Sequence, residues 1–419
     1  MKKLILFILM LMITALIFAQ DDANFLQDAI KIYIDCDDCD MNFIREEIQF
    51  VNYVRDRNVA DVHIIFTDQN TGGGGEEYSV EFIGLGRFVN VDSELTFVKE
   101  KAESKDEFRA KTVKTLRLGL VRYASETPIG EDISISYNKS QTDKIVEIDP
   151  WKNWVYSVSG SGWFNGVESS NSYNLYGNIS AKKTTKELKM YFRLNGSYNK
   201  NRFKYDELIY ESSSKSRSFY CSYIKSINDH WSYGSWIDLF QSDYSNISLG
   251  VMFSPGIEYN IFPYSESNKK QIRFQYKLRS GYSDYQAETV YERIYDTTVQ
   301  QSIIIETEFV KKWGSLSADF NATDYIMIND SFLGDLEKNK ISFDGEASIN
   351  LFEGLSLNLW GSISRIHNQI SLPAGDVSTE ELLLKQRELE TQYSYWASIG
   401  LSYSFGSIYN NIVNPRFSG

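Results

Sequence analysis

The sequence predicts an α+β protein in two parts, a small β-α-β-β-β-α domain followed by an antiparallel transmembrane β-barrel of about 12 strands. The hydrophobic period changes along the chain: it is mixed up to about residue 125 and becomes a two-residue alternation from Trp154 onwards. Aromatic residues make up 15% of the chain, with 28 Tyr and 25 Phe, whereas Pro occurs only 6 times. This composition suits strands and interfacial aromatic girdles.

The N-terminus has the pattern of a secretory signal peptide over residues 1–19. Two lysines precede an uncharged apolar run, Leu4 to Phe18, and the small residue Ala19 precedes the acidic Asp21. No Cys follows the run, so a lipid-anchored form is not expected. Beyond it there is no run of about 18 apolar residues, and no transmembrane helix is predicted.

Residues 25–126 are predicted to form a periplasmic α/β domain. Its expected strands cover 32–34, 62–66, 78–88 and 95–99, and its helices cover 41–54 and 106–122. A polar segment with Pro128, Gly130 and Pro150 then predicts a linker over 127–150. Residues 151–405 are assigned to the barrel and 406–419 to a C-terminal tail.

Twelve alternating segments are predicted to be the barrel strands. They cover 153–164, 172–183, 187–199, 215–227, 231–241, 246–260, 270–282, 299–312, 315–328, 340–352, 355–370 and 391–405. Connections after strands two, four, eight and ten are tight, and those after strands three, seven, nine and eleven are longer. Outer-membrane barrels have short periplasmic turns and long outer loops, so both barrel ends are expected on the side of the N-terminal domain.

Alternation alone leaves a secreted β-sandwich as an alternative, because its strands also carry one apolar face. The signal peptide, the strand length and the loop asymmetry favour the barrel. In a barrel, the apolar residues of each strand, such as Phe274, Tyr276 and Leu278, would face lipid. The polar residues between them would face the lumen.

Charged residues on the predicted inner face are segregated by sign. The basic ones lie on strands three and seven and the acidic ones on strands eight to ten: Lys189, Arg193, Arg273, Lys277, Arg279, Glu306, Glu308, Asp319, Asp344 and Glu346. One interpretation is a polar pathway with a transverse field for small polar solutes. The other is a filled lumen in which opposite charges pair. The predicted strand number does not decide between them.

The last predicted strand carries Ser398, Gly400, Tyr403 and Phe405 at the spacing SxGxxYxF. This motif resembles the C-terminal β-signal of outer-membrane proteins, and the resemblance implies the barrel-assembly machinery as a partner. The layout resembles uncharacterised outer-membrane proteins with a periplasmic α/β domain before a barrel. By element order alone, the N-terminal domain is similar to that of TolB-type periplasmic proteins.

The remaining features argue against several functions. A net charge of −13 without a basic face excludes nucleic acid as an expected partner.

Cys36 and Cys39 lie in an acidic loop of an exported chain and are predicted to form a disulfide. Calcium binding at this loop is the alternative. No metal or cofactor is expected. Some twelve-stranded barrels are outer-membrane phospholipases, but His367 lacks their His-x-Ser arrangement, so no enzyme is expected.

The sequence therefore predicts an outer-membrane barrel with outer-membrane lipid as its surroundings. Its role is either a pore for small polar solutes or a non-conducting scaffold that binds a periplasmic protein through residues 25–126. A lipid hydrolase is a third alternative. A capping box at Ser378 predicts a short helix in the loop 371–390, lying on the barrel mouth or folded inward.

Overall fold

The computed structural model describes residues 26, 28–136, 149–205, 208–333, 336–352, 354–375, 388–407, 409 and 411. They form a five-stranded sheet with two helices, here called the N-terminal module, and a much larger antiparallel sheet. The predicted signal peptide and the predicted helix around Ser378 lie outside these residues. Within the described part of the chain, no helix is both long and apolar enough to cross a membrane.

The N-terminal module follows the predicted element order with one addition, the short strand β2. Its elements are β1 (Lys31–Asp35), α1 (Met41–Glu47), β2 (Asn52–Tyr53), β3 (Val62–Asn70), β4 (Glu76–Gly84), β5 (Ser93–Lys99) and α2 (Lys105–Ala124). The sheet order is β2-β1-β3-β4-β5, with β1 parallel to both of its neighbours. The predicted helix over 41–54 is wrong in its second half, because Asn52 and Tyr53 pair with β1 and pairing overrides the helical spacing.

Helix α2 covers one face of this sheet and supplies four of the fifteen buried residues of its core cluster. The helix begins with a capping box in which Ser104 and Glu107 satisfy each other's backbone N–H groups. Leu116 and Leu120 are fully buried in one cluster with Val80 and Phe82 of β4. The contact is so close that a Cβ added at Gly119 would lie 2.0 Å from the Phe82 ring.

The large sheet contains twelve long strands in sequence order, as predicted, and one short additional strand. They are β6 (Trp154–Val167), β7 (Ser170–Thr184), β8 (Leu188–Tyr205), β9 (Leu208–Ser226), β10 (Trp231–Ser242), β11 (Ile247–Asn260), β12 (Lys270–Tyr285), β13 (Tyr295–Lys311), β14 (Gly314–Ile328), β15 (Ser331–Phe332), β16 (Asn339–Phe352), β17 (Leu355–Ile366) and β18 (Tyr393–Tyr403). Each long strand pairs antiparallel with the next, and β15 pairs only with β14.

The connections are less asymmetric than predicted. The long loop expected after the third strand is wrong: β8 has 18 residues and β9 has 19, and only residues 206 and 207 separate them. The alternation of this segment continues beyond residue 199 and keeps it in register. The longer connections 286–294, 329–338 and 367–392 do share one end of the sheet, here called the long-loop end, and the opposite end is the short-turn end.

The two faces of the large sheet differ sharply. On β12, Phe274, Tyr276 and Leu278 are exposed, whereas Gln275 and Lys277 between them are less accessible. Exposed apolar side chains recur at matching positions on neighbouring strands, for example Ile303 on β13. The sheet therefore has an apolar outer face and a polar inner face that is partly shielded by curvature.

The sheet curls but its ends do not pair. The N-terminal module contacts Ser157 on β6 and Gly406 just after β18. In a flat sheet these two edge strands would be about 50 Å apart, whereas a 100-residue module is only about 35 Å wide. Because one module contacts both edges, the sheet must curve. Nevertheless β6 and β18 are the two edges of the described sheet, and both are exposed on both faces, so the predicted closed barrel is not complete. The Gly- and Ser-rich β6 specifies its register weakly.

Candidate functional site

The predicted inner-face charges do share the polar face, and part of them pair. Arg273 on β12 lies opposite Glu306 on β13, with 2.8 Å between guanidinium and carboxylate. Gln275 also donates to Glu306 at 3.0 Å. Both members of the ion pair are about 30% exposed, so the pair is partly desolvated on the inner face of the curled sheet.

Two further cations are held by residues that the sequence analysis missed. Arg279 pairs with Asp238 on β10 at 3.0 Å, reaching across the intervening strand β11. The Lys277 ammonium lies 4.4 Å from the ring centre of Trp236. Asp238 lies between the outward residues Ile237 and Leu239, so extending the alternation argument to β10 would have found it.

The acidic residues form a row across adjacent strands. Glu306 on β13 is directly opposite Asp319 on β14, and Asp319 is opposite Asp344 on β16. Like charges in opposite positions repel one another, and the pair to Arg273 compensates only one end of the row. The row gives this part of the inner wall a negative potential.

Four further predicted inner-face charges do not belong to the acidic row. They are Lys189, Arg193, Glu308 and Glu346. Lys189 and Glu308 line a cavity between the large sheet and the N-terminal module, and Gln271 donates a hydrogen bond to Glu308. Arg193 lies 4.9 Å from the Tyr191 ring. Glu346 is opposite Ser317 on β14. The structure therefore distributes the predicted cluster along the wall and does not gather it into one site.

The N-terminal module sits against the short-turn end of the large sheet. Lys269, in the connection between β11 and β12, pairs with Glu94 of the module at 2.9 Å. Arg57 of the module donates to the Asn350 carbonyl oxygen at 3.0 Å, and Asp56 accepts from the Gly354 N–H. Together with the contacts at β6 and β18, these bonds lie around the whole short-turn rim.

The segment after β18 joins the module directly, which gives the predicted tail a structural place. Tyr409 forms an antiparallel bridge with Val54, next to the edge strand β2. Asn411 accepts a hydrogen bond from the Tyr53 N–H at 2.6 Å and donates to the Asn52 side chain at 2.9 Å. Tyr409 and Asn411 thus extend the module's sheet beside its edge strand β2.

A cavity of about 990 Å³ lies between the module and the inner face. Residues of both signs line it, including Asp68 from the module and Lys189, Glu258 and Arg273 from the large sheet. Partial burial, with Glu76 and Asp38 nearby, raises the pKa of the Asp68 carboxyl above its ordinary value. The cavity is polar and continuous with the charged inner wall.

At the long-loop end, the segment that follows β17 lies against loops from the opposite side of the sheet. Asn246, after β10, donates to the Ser371 carbonyl oxygen at 3.0 Å, and Thr289, after β12, bridges to Pro373. Ile370 is buried in a small cluster with Tyr325 and Ile328. Residues 370–373 therefore extend across the long-loop end of the curled sheet.

The residues of the predicted β-signal lie on and just after β18. Tyr403 ends the strand two residues earlier than predicted, and Phe405 follows it with its ring 5.6 Å from that of Tyr403. Both rings are exposed. A Cβ added at Gly400 would be 3.7 Å from Asn358, an ordinary contact, so packing among the described residues does not require glycine there. Ser398 is exposed on the same strand.

The acidic loop of the module contains a disulfide between Cys36 and Cys39, with Cα atoms 5.6 Å apart. Asp40 caps helix α1 by accepting from the Phe43 N–H, and Asp35 lies 3.7 Å from His63. No group of metal-ligating side chains is found within the described ranges. His367 follows β17 and lies 3.4 Å from Arg365.

Comparisons with known proteins give little further guidance. No family model and no curated protein matches the chain. Solved structures similar to it include the β domain of the Bordetella autotransporter Brka, with 10% identity, a TM-score of 0.26, and coverage of 60% of this chain and 98% of that chain. The translocator domain of autotransporter NalP from Neisseria meningitidis has 10% identity, a TM-score of 0.23, and coverage of 60% and 87%. At these scores the likeness supports no inference about activity.

Proposed function

We propose that the chain is an integral outer-membrane β-barrel that holds its N-terminal module at the periplasmic mouth and does not conduct as folded. The observation that carries this proposal is the outer face of the large sheet, where Phe274, Tyr276, Leu278 and their neighbours are exposed. A soluble monomer rarely exposes an apolar patch larger than a few hundred Å². Lipid is the environment in which such a wall is stable, and there β6 and β18 must pair with each other to satisfy their backbone groups.

Contacts at both ends support a scaffold with a closed lumen. The module covers the short-turn mouth through bonds to Arg57, Lys269 and Asn411, and residues 370–373 cross the other mouth. The ion pairs of Arg273 and Arg279 occupy the wall between them. A barrel filled in this way serves to anchor the module, which is then the surface offered to a periplasmic protein.

A gated passage for small polar solutes is the second candidate, and the cavity of about 990 Å³ favours it. This cavity lies directly behind the module and continues the charged inner wall. If the module moved away, water would reach Lys189 and Arg273 from the periplasmic side. The charge pattern would then act on passing ions.

Planar-bilayer conductance of the full chain separates the two candidates. We would compare it with a release variant, Arg57→Ala with Lys269→Ala and Asn411→Ala, which removes contacts around the rim. Lys114→Ala, an exposed cation on α2 away from the rim, is the matched control. Absence of conductance in all three proteins supports the scaffold. Conductance of the release variant alone supports gating, and conductance of the unaltered chain contradicts the closed barrel.

The β-signal hypothesis adds the barrel-assembly machinery as a partner. A Cβ at position 400 would make only an ordinary contact, so the effect of Gly400→Leu on assembly should exceed its effect on folded stability. We expect Gly400→Leu, Tyr403→Ala and Phe405→Ala to reduce the amount of heat-modifiable barrel in membranes. Ser407→Ala, just after the motif, is the control; normal assembly of all three variants would refute the signal.

The absence of enzymatic activity and of a cofactor stays a prediction. The alternative is a lipid hydrolase that uses His367. Release of fatty acid from phospholipid by the reconstituted chain, lost in His367→Ala, would establish that alternative.

A further inference from the structure

One groove on the outer face combines a glycine floor with unpaired cations. Gly160 on β6, Gly177 on β7 and Gly196 on β8 are directly opposite one another, and the next position in the same row is Arg217 on β9. The groove above them has a volume of about 810 Å³, and Lys215 also lines it. A row of three glycines thus ends at a pair of basic side chains.

The glycines leave open space that internal packing does not use. A Cβ added at Gly177 or Gly196 would meet no atom within 4 Å, and one at Gly160 would meet only a carbonyl oxygen at 3.8 Å. Leu175 and Phe164, both exposed, stand beside the floor. The groove is therefore a recess in the apolar wall and not a consequence of tight packing.

The cations lie where the apolar wall ends toward the long-loop end. On β8 the outward residues are apolar from Leu188 to Leu194, and Lys200 and Arg202 follow beyond Tyr198. Glu211 pairs with both of these, at 3.3 and 3.7 Å. Lys215 and Arg217 are exposed, and no described carboxylate lies within 4.0 Å of their charged groups. The Asp243 carboxylate also lies beside Lys215 and accepts a hydrogen bond from its backbone N–H at 2.7 Å. Four cations and two carboxylates give the patch a net charge of +2.

Charge and position together select the occupant. We propose that this groove binds a phosphorylated glycolipid of the outer leaflet, with phosphate at Lys215 and Arg217 and the adjoining apolar part over the glycine floor. Basic clusters at the edge of an apolar membrane surface attract anionic head groups. The inference rests on the proposed membrane insertion, which places the long-loop end at the outer leaflet.

A second recess on the same wall has a similar floor but lacks cations. Ala318, Gly345, Gly361 and Ala397 form a similar small-residue row across β14, β16, β17 and β18. The groove above this row is about 520 Å³, and no cation lines it. It therefore provides an internal comparison: a recess of small residues without the electrostatic partner.

Lipid retention tests the proposal. The full chain would be reconstituted in phosphatidylcholine vesicles that contain lipid A or, separately, phosphatidylglycerol, then purified in mild detergent and its bound lipid measured by native mass spectrometry. We expect lipid A retention to fall at least about tenfold in Lys215→Gln with Arg217→Gln. It should fall similarly in Gly177→Leu, whose Cβ would enter the open space above the floor. Arg365→Gln, an exposed cation near the same end of β17, should not change it.

Equal retention in the unaltered chain and the double variant overturns the inference, and equal retention of phosphatidylglycerol overturns the assignment to a glycolipid. Heat-modifiable mobility and protease protection report insertion separately. A chain that inserts but retains no lipid A sinks this inference and leaves the proposed function standing. A chain that does not insert contradicts both.

Discussion

The N-terminal module and the large sheet place their apolar side chains in opposite environments. In the module, Val80 and Phe82 of the sheet and Leu116 of helix α2 are completely buried against one another. In the large sheet, Phe274, Tyr276 and Leu278 point outward and are exposed. The module encloses its apolar side chains in a core of its own, whereas the large sheet presents them on its outer face, where the proposed membrane insertion would cover them.

Removing a large core side chain should affect the module most. Phe82→Ala leaves a cavity beside Gly119 and should lower the free energy of unfolding of the module by about 3–5 kcal/mol. Hydrogen exchange of the vesicle-embedded full chain would report this as lost protection in β3 and β4. Phe274→Ala on the outer wall is the matched change and should cost much less, since lipid fills the space. Equal costs would mean that the wall is packed against protein.

A charge on an exposed leucine should distinguish lipid from water. Leu278 on β12 is 39% exposed and Leu118 on α2 is 61% exposed. Leu278→Arg should lower barrel stability in vesicles by about 2–4 kcal/mol, because it places a cation in hydrocarbon. Leu118→Arg should change stability by less than about 0.5 kcal/mol. Urea unfolding in vesicles measures both, and a tolerated Leu278→Arg would contradict an embedded wall.

The inner face should be less sensitive than the outer face. Arg273→Gln leaves Glu306 without its ion pair and should cost about 1 kcal/mol, a small value because both groups are partly solvated. Exchanging the two charges, Arg273→Glu with Glu306→Arg, should recover most of the loss. Urea unfolding of the single and double variants gives the coupling energy. Absence of recovery would show that the pair does not act as a unit.

The smallest expected effect is a pH dependence of the module. Hydrogen bonds from Lys99 and Tyr78 hold the pKa of the Glu76 carboxyl below its ordinary value. The associated stability is therefore present above the ordinary glutamate pKa and is lost as pH falls through the lowered value. The protection of β4 and β5 amides, taken relative to their intrinsic exchange rates at each pH, should fall in acid, and Glu76→Gln should flatten this response. An unchanged profile in the variant would assign the acid sensitivity elsewhere.

Alternation made the large sheet predictable from the sequence, whereas contacts between distant segments were not. The twelve strands were found because every second residue changes character, as in Ile399 to Tyr403. The same rule would have found Asp238. Strand β2 was missed because it is defined by pairing with β1, about twenty residues away. The full length of β8 and β9 was missed because their continued pairing, and not the local pattern, sets where each strand ends. The position of the module at the short-turn end could not be predicted, because contacts such as Lys269 with Glu94 leave no pattern in the local sequence.

The bond between Tyr53 and Asn411 joins residues 358 positions apart. In a disordered chain, closing a loop of that length costs about 3 kcal/mol more entropy than closing one of ten residues. A few hydrogen bonds do not offset this cost until the intervening strands have brought the two segments together. The bridge from Tyr409 to Val54 should therefore form after the sheet, as the last step of folding, and its appearance would mark the moment when both parts of the molecule have reached their native arrangement.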